Sequence, residues 1–234
     1  MTSNISAQRR RLALFDLDHT LLPLDSDYEW GEFTIRIGWT DREEFGRRNK
    51  AFYDDYVAGR LDVHDYVRFA TEAVRLRGPD AAAQAHAQFM RDVIAPAIHE
   101  RARALVQKHR DAGDEVLIIT ATNEFVTRPI AQELGVPQLL ALELERDTDG
   151  WITGDIRGVP TMREGKVLRM EQWLAERDLD WQDVDSTFYS DSMNDVPLLE
   201  KVNHPVATNP DPRLRALAQQ RGWRILDLFP SQQQ

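Results

Sequence analysis

The 234-residue chain contains no cysteine. That absence excludes a disulfide framework, a thiolate-bound zinc and a cysteine nucleophile. Positive charge is also short: 29 Lys and Arg against 39 Asp and Glu leave a formal net charge of −10. Non-specific binding to nucleic acid or to an anionic membrane surface needs basic patches. The one short cluster, Arg9-Arg10-Arg11, reads as a solvated arm. No run of 18 apolar residues occurs, and the polar start MTSNISAQRRR lacks the hydrophobic region of a signal peptide. A cytoplasmic protein that partners neither nucleic acid nor membrane is therefore expected. There is no internal repeat, and low complexity is confined to the polar tail Ser231–Gln234. The rest is ordinary globular composition, 42% hydrophobic and 29% charged, in a chain long enough to bury a full core.

The most telling stretch is Arg11–Asp25, RLALFDLDHTLLPLD. A short apolar strand, Leu12–Phe15, ends on Asp16 and Asp18, which strand periodicity turns to the same side while Leu17 faces away. The pair alone could be a solvated strand end. Acids two apart are expected about six times by chance in a chain this rich in them, so the meaning has to come from context.

From Asp25 to about Pro96 the chain is rich in aromatics, arginine and acids. It shows helical spacing in Tyr28/Phe33/Ile37, Phe45/Phe52/Tyr56 and Tyr66/Phe69/Val74. Breaks fall at Gly38–Asp41, Gly59-Arg60 and Gly78–Asp80. Asp41, Asp62 and Asp80 stand where N-caps belong, the first with Glu44 at capping-box spacing. This block reads as about four helices and no strand. From Ala97 strands and helices alternate: a helix Ile98–Asp111, the apolar strand Glu115–Thr120, and a helix from Asn123 to Leu134. Leu139–Glu145 and Trp151–Ile156 read as a hairpin around Asp147–Gly150. A helix at Glu164–Glu176 follows, then strands near Ser186–Tyr189, Pro205–Thr208 and Trp223–Leu226, with helices at Asn194–Lys201 and Pro212–Gln220. The expected fold is α/β, a doubly wound and mostly parallel sheet. Its core comprises 1–24 and 97–234, and residues 25–96 are a helical cap inserted after the first strand.

Four polar clusters fall at or just beyond strand C-termini: Asp16-x-Asp18-x-Thr20, Thr120, Lys166, and Ser190-Asp191-Ser192-x-Asn194-Asp195. Open α/β sheets bind ligands at that edge. Phosphoryl transfer needs a nucleophile, a divalent cation and donors around the phosphoryl oxygens. Asp16 can be the nucleophile, through an aspartyl-phosphate. Asp18 can serve as general acid and base. Thr120 and Lys166 can bind the transferring group, although Arg163 and Lys201 compete with Lys166 for that part. Magnesium takes a few carboxylates plus waters and phosphate oxygens, which suits Asp16 and Asp191 with a nearby backbone carbonyl. Asp195 can also be read as a helix cap.

These residues resemble the four motifs of the haloacid dehalogenase superfamily: DLDHT (16–20), Thr120 closing EVLIIT, Lys166 in EGKVLRM, and SDSMND (190–195). The similarity is to its subfamily IB, the phosphoserine-phosphatase-like branch with a helical cap after the first motif. The tail 206–226 is similar to bacterial members labelled histidinol or phosphoserine phosphatases, so the likeness spans nearly the whole chain. It implies a Rossmann-like core and a magnesium-dependent phosphomonoesterase. Asp16 would be the nucleophile, Asp18 the acid/base, and Thr120 and Lys166 the remaining catalytic groups. Thr20, Thr120 and Ala121 would line the phosphate pocket. The metal would be held by Asp16, the Asp18 main-chain carbonyl and Asp191, with Asp195 behind them. His19 and Ser190 depart from the smaller residues common there and add volume near the phosphate.

The resemblance also implies an acid in the cap near the site entrance, Asp25 or Asp27, that could hold a substrate ammonium. Surface charge or helix capping explains those acids equally well. Arg36, Arg47 and Arg48 read as solvated faces. His64, His86, His99 and His109 show no metal-ligand spacing. The expected substrate is a small phosphate monoester, such as an amino-alcohol or amino-acid phosphate. A receiver-like phospho-accepting module, or a phosphotransferase or mutase, would use the same acids, hydroxyl and lysine. Oligomeric state is not legible.

Overall fold

The structure, a computed structural model, describes residues 9–57 and 60–229. The chain start before Arg9, the expected break at Gly59 and the tail Ser231–Gln234 lie outside those residues, as does the side chain of Tyr56. Six strands form one parallel sheet: β1 (Arg10–Phe15), β2 (Glu115–Asn123), β3 (Leu139–Leu142), β6 (Val184–Ser190), β7 (His204–Thr208) and β8 (Arg224–Leu226). Their order is β3-β2-β1-β6-β7-β8, with β1 inside and every neighbouring pair parallel. The remaining strands, β4 (Leu144–Arg146) and β5 (Ile152–Ile156), make a separate antiparallel pair.

Alternation along β1 explains how the sheet is covered. Leu12 and Leu14 bury against Met170, Trp173 and Leu174 of α7 (Glu164–Ala175), with Leu198 of α8 (Val196–Leu199) and Leu214 of α9 (Pro212–Arg221). Ala13 and Phe15 face the other way, among Val106 of α5 (Glu100–Asp111) and Ile130 of α6 (Glu124–Glu133). A strand apolar on both faces needs helices on both, and the chain supplies them.

Between β1 and β2 the described chain is helical: α1 (Ser26–Arg36), α2 (Arg42–Val57), α3 (Val63–Phe89), a π-helical turn at Met90–Ile94 and the short α4 (Ala95–Ala97). Gly78 breaks α3 at φ 77°, ψ 172°, so its two halves act as separate helices. Only glycine adopts such a backbone cheaply. Asp62 caps α3 through the N–H groups of His64 and Asp65. Asp41 accepts from the N–H of Glu44 at 2.9 Å. Two expectations fail here. Asp80 caps nothing, because the break at Gly78 puts Pro79 and Asp80 within the first turn of the second half. Glu44 does not complete a capping box; its carboxylate holds Arg47 instead. Trp30, Phe33, Val74 and Phe89 belong to the same apolar cluster as Ala13 and Phe15, so the helical block and one sheet face share a core.

The expected hairpin is shorter than its sequence run. Leu139–Leu142 joins the main sheet beside β2, and only Leu144–Arg146 pairs with β5. The turn is as expected: Asp147 accepts from the N–H groups of Asp149 and Trp151, and Gly150 sits at φ 81°. Among the described residues no helix is long and apolar enough to cross a membrane.

Candidate active site

Asp16 extends the ladder of β1, its N–H bonded to the carbonyl of Tyr189 at 2.9 Å. The chain then wraps on itself: the N–H groups of Thr20, Leu21 and Leu22 all point at the carbonyl of Leu17. The turn sends Leu21 and Leu22 into the core and tucks the Thr20 side chain under the site, fully buried. The Thr20 hydroxyl lies 3.3 Å from Oδ2 of Asp16 and 3.3 Å from Oδ1 of Asp191. It also accepts the N–H of Asp191 at 3.1 Å. One side chain thus ties the end of β1 to the loop after β6.

Lys166, in the first turn of α7, is 2% exposed. Its ammonium bonds Oδ1 of Asp16 at 2.7 Å and Oδ2 of Asp195 at 2.6 Å. Burial opposes its charge, but the two carboxylates outweigh that and hold its pKa above the usual lysine range. Ser190 donates to the same Asp195 oxygen at 2.7 Å and receives the N–H of Ser192. Ser190 therefore orders the Asp195 carboxylate rather than filling the phosphate pocket. The other departure, His19, sits at φ 56° and is solvent-exposed. Its carbonyl is held by Asn209.

Asp18 is placed from two sides: Oδ1 accepts the N–H of Ser26 at 2.8 Å, and Oδ2 accepts the hydroxyl of Thr122 at 2.8 Å. Burial and repulsion from Asp25 and Asp16 push its carboxyl up to about 8, against the Ser26 hydrogen bond. Burial and the carboxylates of Asp16 and Asp195 likewise push Asp191 up. Asp195 shifts upward too, mainly by burial, although Lys166 opposes the change. The cluster holds more buried carboxylate than its one ammonium offsets.

The structure therefore brings together Asp16, Asp18, Thr20, Lys166, Asp191 and Asp195. Thr120 is buried on β2, its hydroxyl accepting the N–H of Thr122 and its carbonyl the hydroxyl of Thr161. Ala121 is exposed on the wall of a basin that opens above the strand ends. Asp25 shares that wall, but its carboxylate is occupied as the N-cap of α1, accepting from Asp27 and Tyr28. Lys166 prevails over its rivals: Arg163 is exposed at the rim, and Lys201 lies near Trp181 and Glu171. The sequence reading missed Thr122. The strand β2 runs to Asn123, three residues beyond its apolar part, and so carries Thr122 to Asp18. The signal available was the period-two continuation Thr120-x-Thr122.

The topology and this cluster place the chain among known proteins. A family model described as haloacid dehalogenase-like hydrolase matches residues 13–200. The chain belongs to that family. A histidinol-phosphatase of Neisseria meningitidis serogroup C (strain 8013) is 42% identical over 219 residues, 93% of this chain and 99% of that protein. A crystal structure of a Bordetella pertussis Tohama I protein of unknown function has 50% identity and a TM-score of 0.89, covering 95% of this chain and 100% of its own. A phosphoserine phosphatase solved as a phospho-aspartyl intermediate analogue shares the fold at 19% identity and TM-score 0.64, with 95% of each chain covered. The expected fold class holds, and so does the expected membership of the haloacid dehalogenase-like hydrolase family.

Among the described residues no three His, Asp or Glu side chains form a metal cage by themselves. The donor set still fits magnesium. Asp16 and Asp191 are hard oxygen ligands held on one hydroxyl, and Asp191 has no cation within ion-pair distance among the described residues. Mg²⁺ takes one or two carboxylates and completes its shell with waters and phosphate oxygens.

Proposed function

We propose that the protein hydrolyses a small phosphate monoester through a phosphoryl group carried on Asp16. The observation that supports this best is the convergence of Asp16, Asp18, Lys166 and Asp191 at the C-terminal ends of β1 and β6. Asp16 attacks phosphorus through one carboxylate oxygen as the bond to the leaving oxygen breaks. Asp18, its proton retained by burial, gives that proton to the leaving oxygen. Water then attacks phosphorus, Asp18 takes the water proton, and phosphate departs from Asp16. Lys166, Thr120 and Thr20 orient the nucleophile and the phosphoryl oxygens, and their charge and dipoles are in place before reaction. Asp16, the Asp18 main-chain carbonyl and Asp191 would hold Mg²⁺, with Asp195 supporting. The bound ion supplies charge that offsets repulsion between an anionic nucleophile and an anionic ester.

The helical block 25–96 is the cap of a core formed by 1–24 and 97–234, closing over the substrate to exclude water. Substrates of the amino-alcohol or amino-acid phosphate class fit the acids on α1. They also agree with the activities for which the relatives are named, histidinol and phosphoserine phosphatase. A cytoplasmic location suits such a metabolite. The test is turnover of p-nitrophenyl phosphate with and without magnesium, in the unaltered protein and in Asp16→Asn. The variant is expected to be inactive; undiminished activity in it would refute the mechanism.

A further inference from the structure

The sheet carries a second cleft, away from Asp16. Helices α7, α8 and α9 cover β6, β7 and β8 on one side, where Phe188, Ala207 and Leu214 are buried together. On the other side Tyr189 of β6, Val206 of β7 and Arg224 of β8 line a cleft of about 570 Å³ beside the C-terminal end of α5. That volume is in the range of small-molecule sites. Strand register sets the row: Tyr189 stands opposite Val206, and Val206 opposite Arg224. The cleft shares no lining residue with the basin above the strand ends. It reaches Arg11 near the start of β1, whereas Asp16 follows the end of that strand.

Its floor is already paired. His109 of α5 bonds Asp114 through Nδ1 at 2.6 Å and the Tyr189 hydroxyl through Nε2 at 2.7 Å. The Tyr189 ring stacks on Phe15, centroids 4.7 Å apart. Asp114, the one acid in the lining, is also held by Arg11 at 2.9 Å.

The other cations of the lining are uncommitted. Arg10, Arg11 and Arg221 each hold a carboxylate. Lys108 and Arg224 line the cleft, are exposed, and have no carboxylate within ion-pair distance among the described residues. Burial raises the pKa of the Tyr189 phenol, and the Arg224 charge opposes that rise, which places the guanidinium on the cleft side of its strand. Thr187 and Nδ2 of Asn203 add neutral donors, while the Asn203 carbonyl oxygen is taken by Ser186. Two free cations facing one cleft make its potential positive, in a chain whose formal net charge is −10. An ammonium finds no free acid there.

We infer that this cleft binds a small organic dianion, with its carboxylate or phosphate oxygens on Lys108 and Arg224 and its hydroxyl groups on Thr187 and Asn203. The site is separate from the Asp16 cluster and does not rest on the phosphatase reading. Tyr189 joins the two, since its carbonyl accepts the Asp16 N–H at 2.9 Å.

The test is calorimetric titration of the full chain at low salt with malate, its neutral diamide malamide, glycerol 3-phosphate and glycerol. At least one dianion should bind, and malamide and glycerol should not. Lys108→Gln and Arg224→Gln should each weaken that binding by about tenfold or more, the scale of a charge-assisted hydrogen bond. Only binding that these substitutions weaken counts, because a phosphate ester also meets the Asp16 cluster. Such binding by malate alone assigns a carboxylic acid, by glycerol 3-phosphate alone a phosphate, and by both the shared charge. With the unaltered protein, the bound dianion should slow amide hydrogen exchange in Lys108–Asp114 and Trp223–Leu226, which decides the matter if a variant fails to fold. Binding of neither dianion, malamide bound as tightly as malate, no slowing in those two segments, or undiminished affinity in both folded variants overturns the inference. Turnover of p-nitrophenyl phosphate by the unaltered protein is measured alongside; its absence refutes the phosphatase reading and leaves the cleft standing.

Discussion

The ammonium of Lys166 lies 2.7 Å from Oδ1 of Asp16, and its second bond, 2.6 Å, goes to Asp195. A single buried cation thus connects the proposed nucleophile to the loop that follows β6. Removing it strands two carboxylates in a nearly dry site, and breaking a buried pair from one side costs about 3–5 kcal/mol. Lys166→Met should lose stability of that order in chemical denaturation and lower kcat by about 10²-fold or more. Adding Asp195→Asn to Lys166→Met should restore part of the stability and none of the turnover, a coupling read by a double-mutant cycle.

Asp18→Asn keeps the size of the side chain and removes the transferable proton. Turnover of an alkyl phosphate should fall by about 10²–10⁴-fold, the usual contribution of a positioned acid or base. With p-nitrophenyl phosphate, whose leaving group needs no protonation, the variant should give a rapid burst of p-nitrophenol and then stall. Stopped-flow absorbance distinguishes that pattern from uniformly slow release.

Thr122→Val deletes the hydroxyl that holds Oδ2 of Asp18 at 2.8 Å. A hydrogen bond between neutral groups is worth about 0.5–1.5 kcal/mol, so kcat should drop by about two- to tenfold. KM should stay nearly constant, since Thr122 acts through Asp18. Steady-state kinetics on one alkyl ester separates the two parameters.

Asp27→Asn should stabilise the fold at neutral pH. The folded-state pKa of Asp27, about 6, lies above the ordinary 3.8, so its stabilising effect is present below pH 3.8 and lost as pH rises through 6. The advantage of the variant should therefore be near zero at pH 4 and level off above pH 6.5. A shift of that size corresponds to about 3 kcal/mol, and partial exposure of the residue reduces it to about 1–2. Denaturant midpoints at pH 4 and pH 7.5 read the difference.

Much of this was legible in the sequence, for identifiable reasons. Leu12–Phe15 and the apolar run through Leu117–Ile119 are buried on both faces, and continuous apolar runs between helical patterns mark such strands. Asp16, Lys166, Asp191 and Asp195 stand at strand or helix termini, where parallel topology gathers side chains from distant sequence. The last three residues of β2 were not legible, since Ala121-Thr122-Asn123 has the composition of a loop and is strand only because of its surroundings. Tyr66 and Asn123 were also invisible. They meet Asp27 from α3 and from the end of β2, 57 positions apart in the sequence, and no local pattern records that approach. Asp80 looked like a cap because its type suits one, yet the backbone at Gly78 had already chosen the helix start.

The most direct test of the central claim is to trap the phosphoryl group on the protein. The unaltered chain and Asp16→Asn are mixed with phosphate ester and magnesium, quenched in acid within milliseconds, reduced with tritiated borohydride, which expels the phosphate and leaves tritium on the carbon, and mapped by peptide. Label on the peptide containing Asp16, converted there to homoserine, and none in Asp16→Asn is the expected result. Turnover with no label at any quench time, or label on another residue, would contradict an Asp16 nucleophile.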